Sequence, residues 1–303
     1  MKAIWFEREG GPDVLELRDV PEPEPKDGQV LVDVEAIGVN YRDIYERERK
    51  GYGADAPAII GTEAGGTTAD GERLAWAHGT ASYAEKVAVD RAKAVTIPDG
   101  VATDVAVAVL LQGMTAYYLA HESYPIEAGD RVLVHAAAGG VGLLLTQIAK
   151  LRGAYVIGTA STDEKRELAR AAGADEVLGY DELDGVGDIA AVYDGVGKDT
   201  FDADFEVLRP TGRLILYGAA SGEPDPFEVR KLTAGSFYVQ RPTLATYTRT
   251  PELLQELAGN VFGLVADGKL DVRIGHRYPL AEARQAHEDL VARRTTGKIL
   301  LVP

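Results

Sequence analysis

The sequence predicts an α/β protein: a parallel six-stranded sheet, covered by helices on both faces, set between β-rich stretches of chain. Three observations carry this. From about residue 112, short apolar strands alternate with amphipathic helices, the pattern of a sheet buried on both sides. A glycine-containing turn joins the first of these strands to its helix. Before residue 110, alternating apolar residues are broken by Pro- and Gly-rich turns, and the chain closes on one more apolar strand.

Taken in order, MKAIWFE, VLELRDV and QVLVDVEAIGV read as strands separated by turns such as PEPEPKDGQ. GMTAYYLAHESY is expected to form a helix. RVLVH is a short apolar strand, and VGLLLTQIAKLRG a helix stopped by Gly153. AYVIG is the second strand. DEKRELARAAG is a helix with an i,i+4 apolar stripe and a glycine stop. DEVLGY, DIAAVYDGVG and GRLILYGA follow as strands, with TFDADFEVLRP as a helix between the last two, and GSFYVQRP is the sixth strand. From Thr248, PELLQELAGNVFGLVADG and LAEARQAHEDLVARR read as helices, and GKILLVP as the closing strand.

Composition narrows the function. A chain of 303 residues suits two domains. No apolar run reaches the ~20 residues of a membrane helix. The start, MKAIWFEREGG, turns charged too early for a secretory signal. A cytoplasmic protein is expected. There are no cysteines, which excludes disulfides, thiolate nucleophiles and Cys-ligated zinc. The five histidines (His78, His121, His135, His276, His287) show no metal-ligand spacing, so no metal is expected. The net charge of −16 disfavours nucleic acid and anionic membranes. Arginines outnumber lysines, 21 to 11. An acidic, lysine-poor surface suits a salt-rich cytoplasm, and a halophilic protein would gain thermal stability in molar KCl.

The stretch VLVHAAAGGVGLLLTQ, residues 132–147, carries the chemistry. Its register is Ala137-x-Gly139-x-x-Gly142, with alanine where the dinucleotide fingerprint GxGxxG has its first glycine. That first position only tightens the turn. The second lets backbone approach a pyrophosphate, the third packs helix on strand, and both are kept. The helix N-terminus adds N–H groups and a positive dipole end. NAD specificity needs an acid about 20 residues on. Here the second strand ends in Thr159-Ala160-Ser161-Thr162, with no acid; Asp163 is read as the start of the next helix. Lys165 follows, and the hydroxyls of Ser161 and Thr162 are potential donors. The cofactor read from this tip is NADPH.

AAAGGVG between RVLVH and a helix, together with GVNYRDIY, MTAYYL, VYDGVG, GSFYVQRPTL and RRTTGK, resembles the zinc-free quinone oxidoreductases of the medium-chain dehydrogenase/reductase superfamily. The likeness spans essentially the whole chain. It implies a Rossmann NADPH-binding domain, residues 113–246, inserted in a discontinuous β-rich GroES-like catalytic domain, residues 1–112 and 247–303. It also implies an active site in the cleft between them and a homodimer joined through the cofactor domains. By the same resemblance Asn40, Tyr41, Asp43 and Tyr45 line the nicotinamide and substrate, and Tyr52 is a second cleft tyrosine. Tyr117 is a cofactor contact. Ala138, Gly139, Gly140, Val141 and Gly142 hold the pyrophosphate. Ser161, Lys165 and Tyr180 hold the 2′-phosphate. Gly218, Ala219, Ala220, Ser221, Tyr238, Pro242, Thr243, Leu244 and Arg293 are further contacts along the cofactor.

Two departures stand out. Zinc-dependent relatives keep a GHE motif; here the matching stretch is Gly61-Thr62-Glu63. The segment between Tyr180 and Asp188 is short, as though a helix were trimmed.

With neither metal nor thiolate, the cofactor supplies the hard chemistry. The expected reaction is hydride transfer from NADPH to a small-molecule quinone. Asn40 orients the carboxamide or the substrate carbonyl, or else only shapes a turn. Tyr45 or Tyr52 stacks on a flat ring. Asp43 holds Arg42 or orders a tyrosine. A second reading is a reductase of enones, 2-alkenals or enoyl thioesters, whose branch NYRDI also resembles. A third is an NADPH-binding protein with little turnover. Arg47, Arg49 and Lys50 form a basic cluster, read as a solvated helix face in preference to a site for a charged substrate tail.

Overall fold

The structure, a computed structural model, describes residues 1–48 and 55–303. Tyr52, Arg49 and Lys50 lie outside the described residues. The chain divides into two compact units. The first holds Met1–Leu111, Thr248–Gly268 and Val272–Pro303; the second holds Gln112–Tyr247 and Lys269–Asp271.

The first unit is β-rich. Its strands are β1 (Lys2–Phe6), β2 (Glu16–Asp19) and β3 (Gln29–Val39), followed by helix α1 (Tyr41–Arg47). Then come β4 (Ala58–Ile59), β5 (Glu63–Thr68), β6 (Arg73–Trp76), β7 (Lys86–Asp90) and β8 (Ala94–Thr96). Helix α2 (Thr103–Tyr118) carries the chain into the second unit. β1 pairs with β2 and β4. β3 alternates buried Val32 and Val34 with exposed Asp33 and Glu35, and is then buried from Ala36 to Val39. That is the pleat of a half-covered strand running into the interior. β5 and β7 pair with β3, and β6 and β8 extend the sheet. Trp76, Tyr83, Phe6 and Ile37 anchor the core; the Trp76 indole donates to Ser82 Oγ at 2.9 Å.

The second unit contains β9 (Arg131–Val134), α3 (Gly140–Leu151), β10 (Tyr155–Thr159), α4 (Asp163–Ala171), β11 (Glu176–Leu178), β12 (Ile189–Asp194), α5 (Phe201–Val207), β13 (Leu208–Leu216), β14 (Tyr238–Gln240) and α6 (Leu244–Tyr247). All six strands are parallel, in the order β11-β10-β9-β12-β13-β14. The order reverses direction at β9, the topological switch where such sheets bind dinucleotides. Leu133, Ile157, Val192 and Leu214 fill the sheet's centre, and Phe201 packs on it. Thr162 caps α4 by accepting Lys165 N–H at 3.3 Å, and Asp163 opens the helix as read from the sequence.

The chain then returns to the first unit with α7 (Pro251–Ala266), β15 (Ile274–Pro279), α8 (Ala283–Val291) and β16 (Lys298–Val302). Thr250 caps α7, and Pro251 sits at its first turn, where no intrahelical donor is lost. β16 completes the large sheet by pairing with β3 and β15.

Two elements read from the sequence take a different form. The helix expected from Gly113 begins a decade earlier, at Thr103, and ends in a π-helical turn, Leu119–Ser123. By length and composition alone, Thr103–Ser123 is long and apolar enough to cross a membrane, so the expectation that no such run exists is corrected. Its apolar stretch is 72% buried, as in a core helix of a globular protein. LRP, read as the end of a helix, instead opens β13, because Pro210 supplies no donor for a helix to continue.

Candidate functional site

Each unit contributes a cluster of its own. In the second, β9 runs through His135 into the glycine turn. Ala137 N–H donates to Thr159 O at 3.0 Å and Gly139 N–H to Ala136 O at 2.8 Å. Ala137, at the first fingerprint position, is fully buried. The next two positions behave differently. A Cβ on Gly142 would stand 2.8 Å from Ala137 Cα, with the Ala136 carbonyl nearer still. Helix-on-turn packing therefore demands glycine there. A Cβ on Gly139 would meet only Ala136 O, at 3.1 Å, and its φ of −77° suits any residue. The chain asks less of Gly139 than of Gly142: a methyl there needs the Ala136 carbonyl to give by a few tenths of an ångström. The first-turn N–H groups, with Gly140 and Val141 half-buried, form an anion site of the kind a pyrophosphate fills. The residues present fit a dinucleotide.

The neighbouring strand tips extend this surface. Ala160 N–H donates to Leu178 O at 3.0 Å, joining the ends of β10 and β11. Ser161 is exposed and Lys165 half-buried at that tip. Arg166, not singled out in the sequence, reaches Glu182 at 3.3 Å. After β12, Asp194 Oδ1 accepts Val196 N–H at 2.6 Å, and Oδ2 accepts the Thr200 hydroxyl at 2.9 Å. A Cβ on Gly218 would stand 2.7 Å from Gly195 O, so Gly218 serves the approach of these two loops. Ser221 Oγ donates to Val196 O at 2.8 Å and accepts Asp199 N–H at 3.0 Å; its hydroxyl is spent within the loop. Ala219 is buried and Ala220 half-buried beside it. Pro242 is buried, Thr243 exposed, and Leu244 opens α6. Tyr238 stands two residues before the end of β14, 56% exposed, with Arg213 5.3 Å over its ring. It is not gathered with the loops at the strand ends. Tyr117 stacks on His121, centroids 3.9 Å apart.

In the first unit, Asn40 precedes α1. Its backbone N–H donates to Asp43 Oδ2 at 2.8 Å, tying the first turn. Its side-chain amide donates to Glu63 Oε2 at 2.8 Å and to Gly38 O at 3.3 Å. Its Oδ1 accepts from Lys298 Nζ at 2.8 Å. The Asn40 amide nitrogen thus has two acceptors within the chain. Lys298 also forms a buried ion pair with Glu63, and Glu63 Oε1 accepts Leu111 N–H at 2.9 Å.

Asp43 is fully buried. Besides Asn40 N–H it accepts the Thr62 hydroxyl at 3.1 Å and the Tyr83 hydroxyl at 3.0 Å. Burial pushes its carboxyl up to about 7 despite these donors. The tyrosine it orders is Tyr83. Tyr83 OH in turn meets His287 Nε2 at 3.1 Å, and His287 Nδ1 meets Arg47 Nη1 at 3.2 Å. Burial and the adjacent Arg47 hold His287 down to about 3, hence neutral. Arg47 always donates, so Nδ1 accepts and Nε2 carries the proton. Arg47 is fully buried, which corrects its reading as a solvated helix residue; Glu48 Oε1 at 2.8 Å, Gly10 O at 2.9 Å and His287 hold the guanidinium inside. Tyr41 donates to Leu290 O at 3.2 Å and lies 6.3 Å from the half-buried Tyr45 ring. Arg293 follows α8 in a left-handed conformation, φ 57°, and is exposed.

Sequence reasoning missed Lys298, Tyr83, His287 and the buried role of Arg47. The one signal available was Lys298 itself, a lysine opening an otherwise apolar strand.

Strand order, glycine turn and β-rich companion unit define a dinucleotide-binding α/β protein of the dehydrogenase/reductase class. A family model described as zinc-binding dehydrogenase matches residues 140–259. A quinone oxidoreductase of Pseudomonas aeruginosa is 40% identical, covering 100% of this chain and 99% of its own. A 2-haloacrylate reductase of Burkholderia is 34% identical, over 99% of this chain and 98% of its own. The crystal structure of Escherichia coli quinone oxidoreductase complexed with NADPH superimposes with a TM-score of 0.96 at 34% identity, covering all of both chains. The chain belongs to the quinone oxidoreductase family of the medium-chain dehydrogenase/reductase superfamily. The zinc of the family model's description does not fit here. Thr62 stands where a histidine ligand would, its hydroxyl donates to Asp43, and Glu63 is neutralised by Lys298. Among the described residues no group of three or more His, Cys, Asp and Glu is placed to hold a metal.

Proposed function

We propose that the protein is an NADPH-dependent quinone oxidoreductase that needs no metal. What supports this most is the pairing of the glycine turn at the N-terminus of α3 with a β10 tip that offers Ser161, Thr162 and Lys165 and no acid. The NADPH bound to the Escherichia coli relative is in keeping with this tip. When bound, NADPH supplies the hydride. The chain's part is to hold the pyrophosphate on the first-turn N–H groups of α3 and to hold the 2′-phosphate at Ser161, Lys165 and Tyr180. Tyr45 presents a ring for a flat acceptor. Asn40 and Asp43 act by fixing the start of α1. Reduced quinone oxygens take protons readily from solvent, so no buried acid is required.

The domain assignment proposed is a cofactor domain at residues 113–246 and a catalytic domain at residues 1–112 and 247–303. A homodimer through the cofactor domains, a cytoplasmic location and a halophilic surface belong to the same reading. The second reading, reduction of an activated alkene, is favoured by the likeness to a 2-haloacrylate reductase. Steady-state NADPH oxidation in high KCl with a polycyclic ortho-quinone and a 2-alkenal side by side, NADH in parallel, separates them. Turnover confined to the alkenal would replace the first reading by the second.

A further inference from the structure

One histidine of the second unit is buried beside the glycine turn without forming part of it. His135 follows the last residue of β9 and precedes the glycine turn, and it is 0% exposed. Its Nε2 lies 2.7 Å from Asp204 Oδ1 on α5, and its Nδ1 lies 2.8 Å from Thr159 Oγ1, the last residue of β10. Its ring underlies Tyr180, just beyond β11, with centroids 5.9 Å apart and planes within 16°. One side chain therefore touches the structures at the ends of β10 and β11 and the helix beyond β12.

Those ends have a defined job in a parallel sheet of this order: the tip of the second strand reads the ribose 2′ group. Here the second strand is β10. Thr159 is fixed twice, by its carbonyl to Ala137 N–H and by its hydroxyl to His135. Tyr180 comes from a short loop that contains no helix, and the buried His135 ring lies nearly parallel to its own. A fully buried imidazole beside a fully buried carboxylate is costly to keep unless it is paired. Burial works against the imidazolium and the Asp204 charge outweighs it, so His135 is raised above its ordinary value.

We propose that His135 is a positioning residue for NADPH over NADH: it holds Tyr180 and the β10 tip where a 2′-phosphate is bound, without touching the cofactor. This rests on the NADPH reading above. It differs from a general packing role in one measurable respect. Loss of packing alone weakens both cofactors alike, whereas loss of the 2′-phosphate geometry weakens NADPH and spares NADH.

The test is titration of NADPH and NADH, by nucleotide fluorescence, against the full-length wild type, His135→Ala, Tyr180→Ala and the double variant. His135→Gln is included in case His135→Ala does not fold, since it keeps a hydrogen-bonding side chain and loses the flat ring. The preference for NADPH over NADH is expected to fall about tenfold in either histidine variant, with NADH affinity unchanged. In the Tyr180→Ala background the histidine change is expected to have little further effect, as required if one acts through the other. Equal loss of both cofactors, or an unchanged ratio, overturns this inference and leaves the NADPH reading standing. A wild type with no preference for NADPH overturns both.

Discussion

Lys298 and Glu63, 235 residues apart in sequence, form an ion pair with the lysine side chain 1% and the glutamate side chain 0% exposed, and Asn40 bonds to both. The pair lies on Gly38 of β3, where a Cβ would stand 2.9 Å from Lys298 Nζ and closer still to Glu63. A buried pair of this kind costs desolvation to assemble, and more to break.

Lys298→Met is therefore expected to destabilise the protein by about 3–5 kcal/mol, read as a lower urea midpoint. Glu63→Gln combined with Lys298→Met should recover most of that loss, because no charge is stranded and the Leu111 N–H keeps an acceptor. A single variant costing under ~1 kcal/mol would show that the pair is solvated after all.

Asp43 and His287 sit at either side of Tyr83 and should bend the stability curve in opposite directions. Asp43 has its carboxyl raised from 3.8 to about 7. Between those values the folded state binds the extra proton, so this group lowers stability as pH rises. His287 is lowered from 6.5 to about 3. There the unfolded state binds the extra proton, so this group raises stability with pH. Relative to wild type, Asp43→Asn should gain as pH rises from 4 to 7, while His287→Asn should lose as pH rises towards 6.5. Each difference is of the order of 4 kcal/mol in full. Urea unfolding of the three proteins across this range reads the two slopes; slopes of the same sign would refute the assignment.

The glycine turn separates folding from binding. Gly142→Ala places a methyl against Ala136 and Ala137 backbone and is expected to lower the melting temperature by several degrees, on the order of 2 kcal/mol. Gly139→Ala meets one backbone oxygen, at 3.1 Å, and should lose less melting temperature than Gly142→Ala. Its methyl occupies the approach to the α3 N-terminus, so NADPH affinity should fall at least about tenfold. Calorimetry for melting and titration for affinity test both, and a Gly139 variant with unchanged affinity would remove the pyrophosphate from this turn.

Lys165→Ala should weaken NADPH by about tenfold, the scale of one charge-assisted contact to phosphate, and leave NADH unaltered. Loss of both cofactors to the same degree would mean that Lys165 supports the helix start and not the phosphate.

Much of the fold was legible because it depends on local pattern. Strands β9, β10, β12 and β13 carry apolar runs, the turns between the six strands carry glycine, and the Ala137-x-Gly139-x-x-Gly142 register reads directly. Thr162 and Asp163 announce the start of α4 in the same way. The first unit's polar network was not legible. Asn40, Glu63 and Lys298 meet only through the pairing of β3 with β5 and β16, and nothing local marks Tyr83 or His287 as partners of Asp43. For the same reason nothing local marks Arg47, which closes a buried chain of hydrogen bonds, as other than a solvated helix residue. Tyr238 was placed by motif alone, and the register Arg213↔Tyr238 sets it back from the strand ends.

The most direct measurement is the steady-state rate of NADPH consumption by the purified protein, without added metal and after chelator treatment, with an ortho-quinone as acceptor. Turnover that is saturable in quinone, unchanged by the chelator and much slower with NADH is the expected result. No quinone-dependent consumption, or activity that the chelator abolishes, would contradict a metal-free NADPH-dependent quinone oxidoreductase.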